Sequence, residues 1–234
     1  MKSAQELIHW MEQGRGARWM LRAVVVFGAL LLTTIYSWKQ FHGIPTEFVM
    51  QQAVLGRQLA QGRGFTTPVN YPQTYAVLDA RGVRFDEKRF YPELHHAPLY
   101  AIVLAGALAV LPEKAWGHHP VPPDGWIPDY VVLAVNLVLF WIAMLLVWRL
   151  GNRLFDARVA WIAVLASAVS VTLWEQTVAL TGLPLFLVLM LGLFHGLAGV
   201  EEKLEAEGGS SRGVALRVAG LGVVGALLFL TEYS

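Results

Sequence analysis

Runs of apolar residues, each closed at both ends by charged or turn-forming residues, divide this chain into pieces whose lengths predict their structure. Five runs, at residues 19–38, 130–148, 159–174, 176–200 and 213–231, approach the roughly 17 to 25 helical residues that cross a hydrocarbon core about 30 Å thick. The third is short, and the last admits Arg217 near one end, where a long aliphatic stem can carry the charge to the interface. A sixth run, 99–111, lies between Pro98 and Pro112. As a helix it would be only about 20 Å long at 1.5 Å per residue, which predicts a membrane-edge or re-entrant helix instead of a span. Ahead of the first span, Leu7, Trp10 and Met11 recur at helical spacing beside Glu6 and Glu12, predicting an interfacial helix in residues 1–18. The acidic, Gly-Ser stretch 201–212 reads as a linker.

Composition supports the same picture. Of 234 residues, 56% are hydrophobic and 15% charged, with a mean hydropathy of +0.49. An ordinary soluble domain carries about 25% charged residues, so this chain has too little polar surface to coat a globule in water. The predicted class is an all-α, polytopic membrane helix bundle of about five transmembrane helices. Eighteen basic against 17 acidic residues leave a net charge of +1, without the basic face that nucleic acid requires. The absence of cysteine excludes thiol and zinc-thiolate chemistry.

Lys and Arg of short loops stay on the cytoplasmic side, and five spans satisfy that rule. Lys2, Arg15 and Arg18, then Arg149, Arg153 and Arg158, then Lys203 and Arg212 all fall inside, whereas the short outer pieces near Glu175 and at 231–234 have no Lys or Arg. A further crossing by 99–111 would push the Arg149, Arg153, Arg158 turn outside. The expected layout is therefore a cytoplasmic segment 1–18, a first transmembrane helix 19–38, an extracytoplasmic loop 39–128 holding the membrane-edge helix 99–111, and transmembrane helices two to five in 129–231. The first span has no small-x-small cleavage site before Lys39 and reads as a retained anchor.

The outer loop, with eight basic and seven acidic side chains, is the region large enough to build a site. Pro45-Thr46-Glu47 opens a predicted helix with Thr46 as N-cap, and Gly62-Arg63-Gly64-Phe65 closes it. A turn or hairpin is predicted at Asp79-Ala80-Arg81-Gly82. Then Tyr91-Pro92-Glu93-Leu94-His95-His96-Ala97-Pro98-Leu99-Tyr100 leads into the membrane-edge helix.

Thr46-Glu47, Gly62 to Phe65, Ala97-Pro98-Leu99-Tyr100 and Arg149-Leu150-Gly151-Asn152-Arg153-Leu154-Phe155 come in an order that resembles the GT-C membrane glycosyltransferases. The likeness is to the branch that holds protein mannosyltransferases, lipid A aminoarabinose transferases and related bacterial proteins. The resemblance implies a GT-C-like fold in the bacterial inner membrane, with the N-terminus cytoplasmic. It also implies transfer of a sugar from a polyprenyl-phosphate-linked donor to an acceptor on the extracytoplasmic face, with a divalent metal ion as a candidate cofactor. The family's outer Asp falls on Thr46 and its second outer Asp near Gly182-Leu183-Pro184, so Glu47 is the surviving carboxylate, with Glu175 as a substitute. The family continues beyond a Leu-Thr-Arg-Tyr stretch into further spans. Leu230-Thr231-Glu232-Tyr233-Ser234, after the small-residue surface of Gly220, Gly222, Gly225 and Ala226, therefore predicts the N-terminal part of a longer protein.

Such a transfer needs a carboxylate to take the acceptor's proton and cations to stabilise the departing lipid phosphate. Glu47 is the candidate base, against the alternative of an acidic residue favoured by the helix dipole; Glu175 at the edge of a span is the second. For the phosphate the candidates are Lys88, Arg89, His95 and His96, with Arg84 neutralised beside Asp86 and Glu87. His118-His119 with Asp124 lacks the spacing of a metal site, and His195 reads as a packed helix residue. The alternatives are a catalytically degenerate relative that binds lipid-linked sugar, and a small transporter component, for which Asn136 and Thr172 are weak mid-span candidates.

The topology generates a test, since engineered cysteines stand alone in this chain. A Cys at Gly117 should react with an impermeant maleimide from outside, and Cys at Asn152 or Gly209 only after permeabilisation. The reverse pattern would overturn the re-entrant assignment.

Overall fold

The computed structural model describes residues 15–68, 72–82, 90–93, 95–112, 115, 126–207 and 212–231. The predicted interfacial helix around Leu7, Trp10 and Met11 lies outside them. The chain divides into two compact units, Met1–Phe41 and His42–Ser234.

In the first unit, α1 (Arg15–Gln40) contains the apolar run Trp19–Gln40, long enough to cross a membrane. Two of its polar side chains bond back to the helix itself: the Thr33 and Thr34 hydroxyls donate to the carbonyls of Ala29 and Leu30, each at 2.8 Å.

The second unit runs α2 (Glu47–Ala60), β1 (Thr66–Thr67), α3 (Pro72–Ala80), β2 (Tyr91–Pro92), α4 (Pro98–Leu108), α5 (Ile127–Leu154), α6 (Ala157–Ala168), α7 (Val171–Val178), α8 (Leu183–Glu207) and α9 (Arg212–Phe229). Among the described residues, α1, α5 and α8 are each long and apolar enough to span a membrane, and α6 with α7, bent by 55°, makes a fourth if the pair crosses as one. This is a helical membrane protein. The helix α4 and residues Gly213–Phe229 of α9 are shorter apolar helices.

Three local expectations are corrected. The run 159–174 is not one helix, because α6 ends at Ala168 and α7 begins at Val171. The carbonyl of Ala168 is taken by the indole N–H of Trp174 at 2.7 Å, and Trp174 is fully buried on Phe140, with ring centroids 4.6 Å apart. The run 176–200 is interrupted as well, and α8 starts only at Leu183. Pro184 has no N–H and would meet the carbonyl four residues back, so it is tolerated only in a helix's first turn. At the other end α8 continues to Glu207 through good helix formers, so 201–207 is helix and not linker, while 208–211 lie outside the described residues. Of the turn or hairpin expected at 79–82, the turn is what forms, with Gly82 at φ +69 ending it after α3; the described strand pair joins Thr66 to Pro92 and Thr67 to Tyr91.

Small residues set the helix contacts, as they must where lipid is as apolar as any side chain. A Cβ on Gly151 would lie 2.8 Å from the Cα of Ala160, which places α6 directly against the end of α5. Asp156 caps α6 by accepting from the N–H groups of Arg158 at 2.9 Å and Val159 at 2.8 Å. Gly56 of α2 sits on α4, where a Cβ would stand 2.9 Å from that of Leu104.

The break between α7 and α8 holds the strained point of the fold. Leu180 adopts φ +62, a left-handed conformation disfavoured for a residue with a Cβ. Three carbonyls at the break find side-chain donors. Asn136, fully buried on α5, donates through Nδ2 to Thr177 at 3.2 Å and Thr181 at 3.0 Å. Tyr100 of α4 shares its hydroxyl proton between the Leu180 carbonyl at 2.8 Å and Asn136 Oδ1 at 2.9 Å. Burial pushes the Tyr100 phenol above its ordinary range, so it remains a donor. The N–H of Leu99 adds a bond to the carbonyl of Leu230 at 3.1 Å, joining the start of α4 to the end of α9.

Asn136→Leu keeps the volume but takes the Asn136 donor from the Thr181 carbonyl, while the Thr177 carbonyl keeps the Leu180 N–H, and should destabilise the protein by about 2 kcal/mol, whereas Tyr100→Phe should cost about 1 kcal/mol. Unfolding titrations in mixed micelles check the order; equal, negligible losses would remove this network from the account.

Candidate functional site

The site is built where the start of α2 meets the segment that leads into α4. Thr46, at φ −128 and ψ 150, is the N-cap of α2, and its hydroxyl accepts from the Val49 N–H at 3.4 Å. That bond commits Thr46 to the helix end. Glu47 follows in the first turn, exposed, with Oε1 accepting from Gln51 Nε2 at 3.2 Å. The next residue, Phe48, lies against His96 with ring centroids 5.1 Å apart, and His96 stands edge-on to His95 at 5.2 Å. The turn carrying Glu47 is thereby brought beside the His95-His96 pair.

The two histidines differ in environment. His95 is exposed, while His96 is fully buried. Glu93, itself buried, holds the segment: its Oε1 accepts from the His95 backbone N–H at 2.6 Å and lies 3.5 Å from His96 Nδ1. Behind them, buried Gln52 directs Nε2 toward the Ala97 carbonyl at 3.5 Å. His96 is thus a wall of the site and His95 its open member.

Further along α2, the Arg57 guanidinium stacks over the Trp126 ring, 3.9 Å from its centroid, just ahead of α5. Burial holds Arg57 below its ordinary value, and the facing charge of Asp129 opposes that shift. Arg63 lies over Phe90 at 5.3 Å and donates to Gln58 Oε1 at 3.4 Å.

Of the residues singled out in the sequence, His95 and His96 stand together, and the helical turn that carries Glu47 meets them through Phe48. Glu175 is exposed on α7, and among the described residues no hydrogen bond or ion pair joins it to Glu47. Arg84, Lys88, Arg89, His118, His119 and Asp124 lie outside the described residues. His195 sits in α8, its Nδ1 buried with no hydrogen-bond partner among the described residues. Sequence reasoning passed over Glu93 and Arg57. Glu93 stands two residues before His95, a spacing that suits a carboxylate folding back onto a backbone N–H. Arg57 carried no such signal, since only tertiary packing sets it over Trp126. Among the described residues no group of three or more His, Cys, Asp or Glu could hold a metal ion, so no step below runs through one.

No protein-family model, curated protein or solved structure matches this chain.

Glu93→Ala should loosen the 93–97 segment, read as amide hydrogen exchange about tenfold faster there, whereas Glu93→Gln keeps an acceptor oxygen and most of the protection. Equal behaviour of the two variants would deny Glu93 its anchoring role.

Proposed function

We propose that this protein is a membrane glycosyltransferase of the GT-C type, crossing a bacterial inner membrane five times with its N-terminus in the cytoplasm. It would move a sugar from a polyprenyl-phosphate-linked donor to an acceptor on the extracytoplasmic face. The observation that carries the reading is the exposed Glu47, held by Gln51 on the helical turn that meets the His95-His96 segment through the Phe48–His96 contact.

In this reading the Glu47 carboxylate takes the proton of the acceptor hydroxyl, whose oxygen attacks the anomeric carbon. The bond from that carbon to the phosphate oxygen breaks, and the lipid phosphate leaves with the electron pair. His95 donates a hydrogen bond to that phosphate, with Lys88 and Arg89 as further cations. His96, being buried, positions His95 and Phe48 and does not touch substrate. Glu175 is a second carboxylate whose loss should matter less.

The degenerate-relative reading draws on Thr46, which serves as N-cap where the resembling family has Asp. The transporter reading gains the broken helix α7–α8, a feature of such proteins. It is disfavoured because Asn136 spends both N–H groups and its oxygen on Thr177, Thr181 and Tyr100, leaving nothing for a substrate.

Purified protein in nanodiscs, supplied with lipid-linked sugar and acceptor, should release polyprenyl phosphate. Glu47→Gln should lower turnover by about 100-fold or more with insertion unchanged, and Glu175→Gln by less. Full activity in Glu47→Gln would remove the catalytic assignment, and saturable donor binding with no turnover in the parent protein would select the degenerate relative.

A further inference from the structure

At the opposite end of α5 and α8 from the Asn136 network, two arginines converge on one glycine. Arg153, in the last turn of α5, forms a bidentate pair with Glu202 of α8, Nε to Oε1 and Nη2 to Oε2 both at 2.6 Å. Its Nη1 also donates to the His195 carbonyl at 2.8 Å. From the other side, Arg217 of α9 donates through Nη1 to the Gly199 carbonyl at 2.8 Å. A Cβ on Gly199 would lie 3.2 Å from Arg153 Nη2 and 3.2 Å from Arg217 Nη1. Both guanidinium tips therefore reach the same point, and a side chain there would push each of them back by a few tenths of an ångström.

The charges do not balance. Glu202 pairs with Arg153 and also faces the charge of Arg217, so two guanidinium groups share one carboxylate and one positive charge is left over. Arg217 stands five residues inside an otherwise apolar helix, about 7.5 Å along its axis, where an unpaired cation is costly unless an anion meets it. Its guanidinium is exposed, and one of its five N–H groups is used. Leu216, 77% exposed, and Val218, 51%, present apolar surface on either side of Arg217 along α9. Glu201 and Glu205 line a separate groove together with Leu150, Leu154, Phe194 and Leu197, which makes that side unfavourable for an anion.

We propose that Arg217, held at Gly199 beside the Arg153–Glu202 pair where α5, α8 and α9 meet, binds the phosphate of one anionic phospholipid. Planar, forked donors suit phosphate oxygens, and basic pockets between membrane helices are established lipid headgroup sites. A lipid is the fitting source because its acyl chains would lie along the exposed apolar surface of α9 at Leu216 and Val218 while its phosphate meets Arg217. The site is independent of the glycosyltransferase reading, since it involves none of Glu47, His95 or Glu175.

The test uses the whole chain, delipidated in a neutral detergent and titrated with phosphatidylglycerol or phosphatidylcholine, with binding read by native mass spectrometry and by the thermal unfolding midpoint. Phosphatidylglycerol should bind preferentially and raise the midpoint. Arg217→Gln should weaken it about fivefold, and Gly199→Ala should weaken it by displacing both guanidinium groups, while Arg158→Gln at the same end leaves it unchanged. Far-ultraviolet circular dichroism establishes that each variant keeps its helices, and Arg217→Lys should restore part of the affinity. Equal affinity in Arg217→Gln and Arg158→Gln would overturn the proposal. Protection by inorganic phosphate matching that of the lipid would overturn the lipid assignment.

Discussion

Carbonyls freed inside a membrane protein must find donors other than water, and at the α7–α8 break one side chain answers most of that demand. Asn136 uses its two N–H groups on Thr177 and Thr181 and its oxygen on Tyr100, so each of its polar atoms is occupied. The break in turn lets the chain change direction at Leu180 and Gly182, against whose Cα the Tyr100 ring packs: a Cβ on Gly182 would lie 3.6 Å from that ring. What this interaction supports is more than local. It fixes α4, and α4 carries α2 through the close contact at Gly56.

The candidate site depends on that chain of contacts. Glu47 is placed by the cap of α2, His95 and His96 by Glu93 and by the short run into α4, and the two pieces meet at Phe48. A helix too short to cross the membrane thus has a positioning role. Its N-terminal N–H groups are part of the same arrangement, Leu99 donating to Leu230 at the end of α9.

At the other end of the bundle the same problem, an ionised group at an apolar boundary, has a different solution. Arg153 reaches across to α8 and is matched by Glu202, whereas Arg217 bonds a carbonyl and only shares the charge of that same carboxylate. Coulomb energy is larger where water is scarce, which makes the matched pair a tie between α5 and α8 and leaves the unmatched cation attractive to an anion. Gly199 has one role in both, since its missing side chain is the space that the guanidinium groups occupy.

Much of the architecture was legible in residue order. Thr46 before Glu47, with Gly62 fifteen residues after it, defines α2 because capping and glycine stops are local chemistry, and the apolar runs mark the long helices because crossing length depends on residue count alone. Gly182 and Pro184 also announced a helix start, but a hydropathy run averages across them. Local chemistry could not decide that Ala168 ends a helix, that His96 is buried while its neighbour is open, or that Arg57 stacks on Trp126. Those outcomes rest on contacts between residues distant in the chain. Asn136 marks the boundary most clearly: along the sequence it is a lone polar residue in an apolar run, and only the approach of Tyr100, 36 residues before it, and Thr177, 41 after it, gives its amide anything to hold.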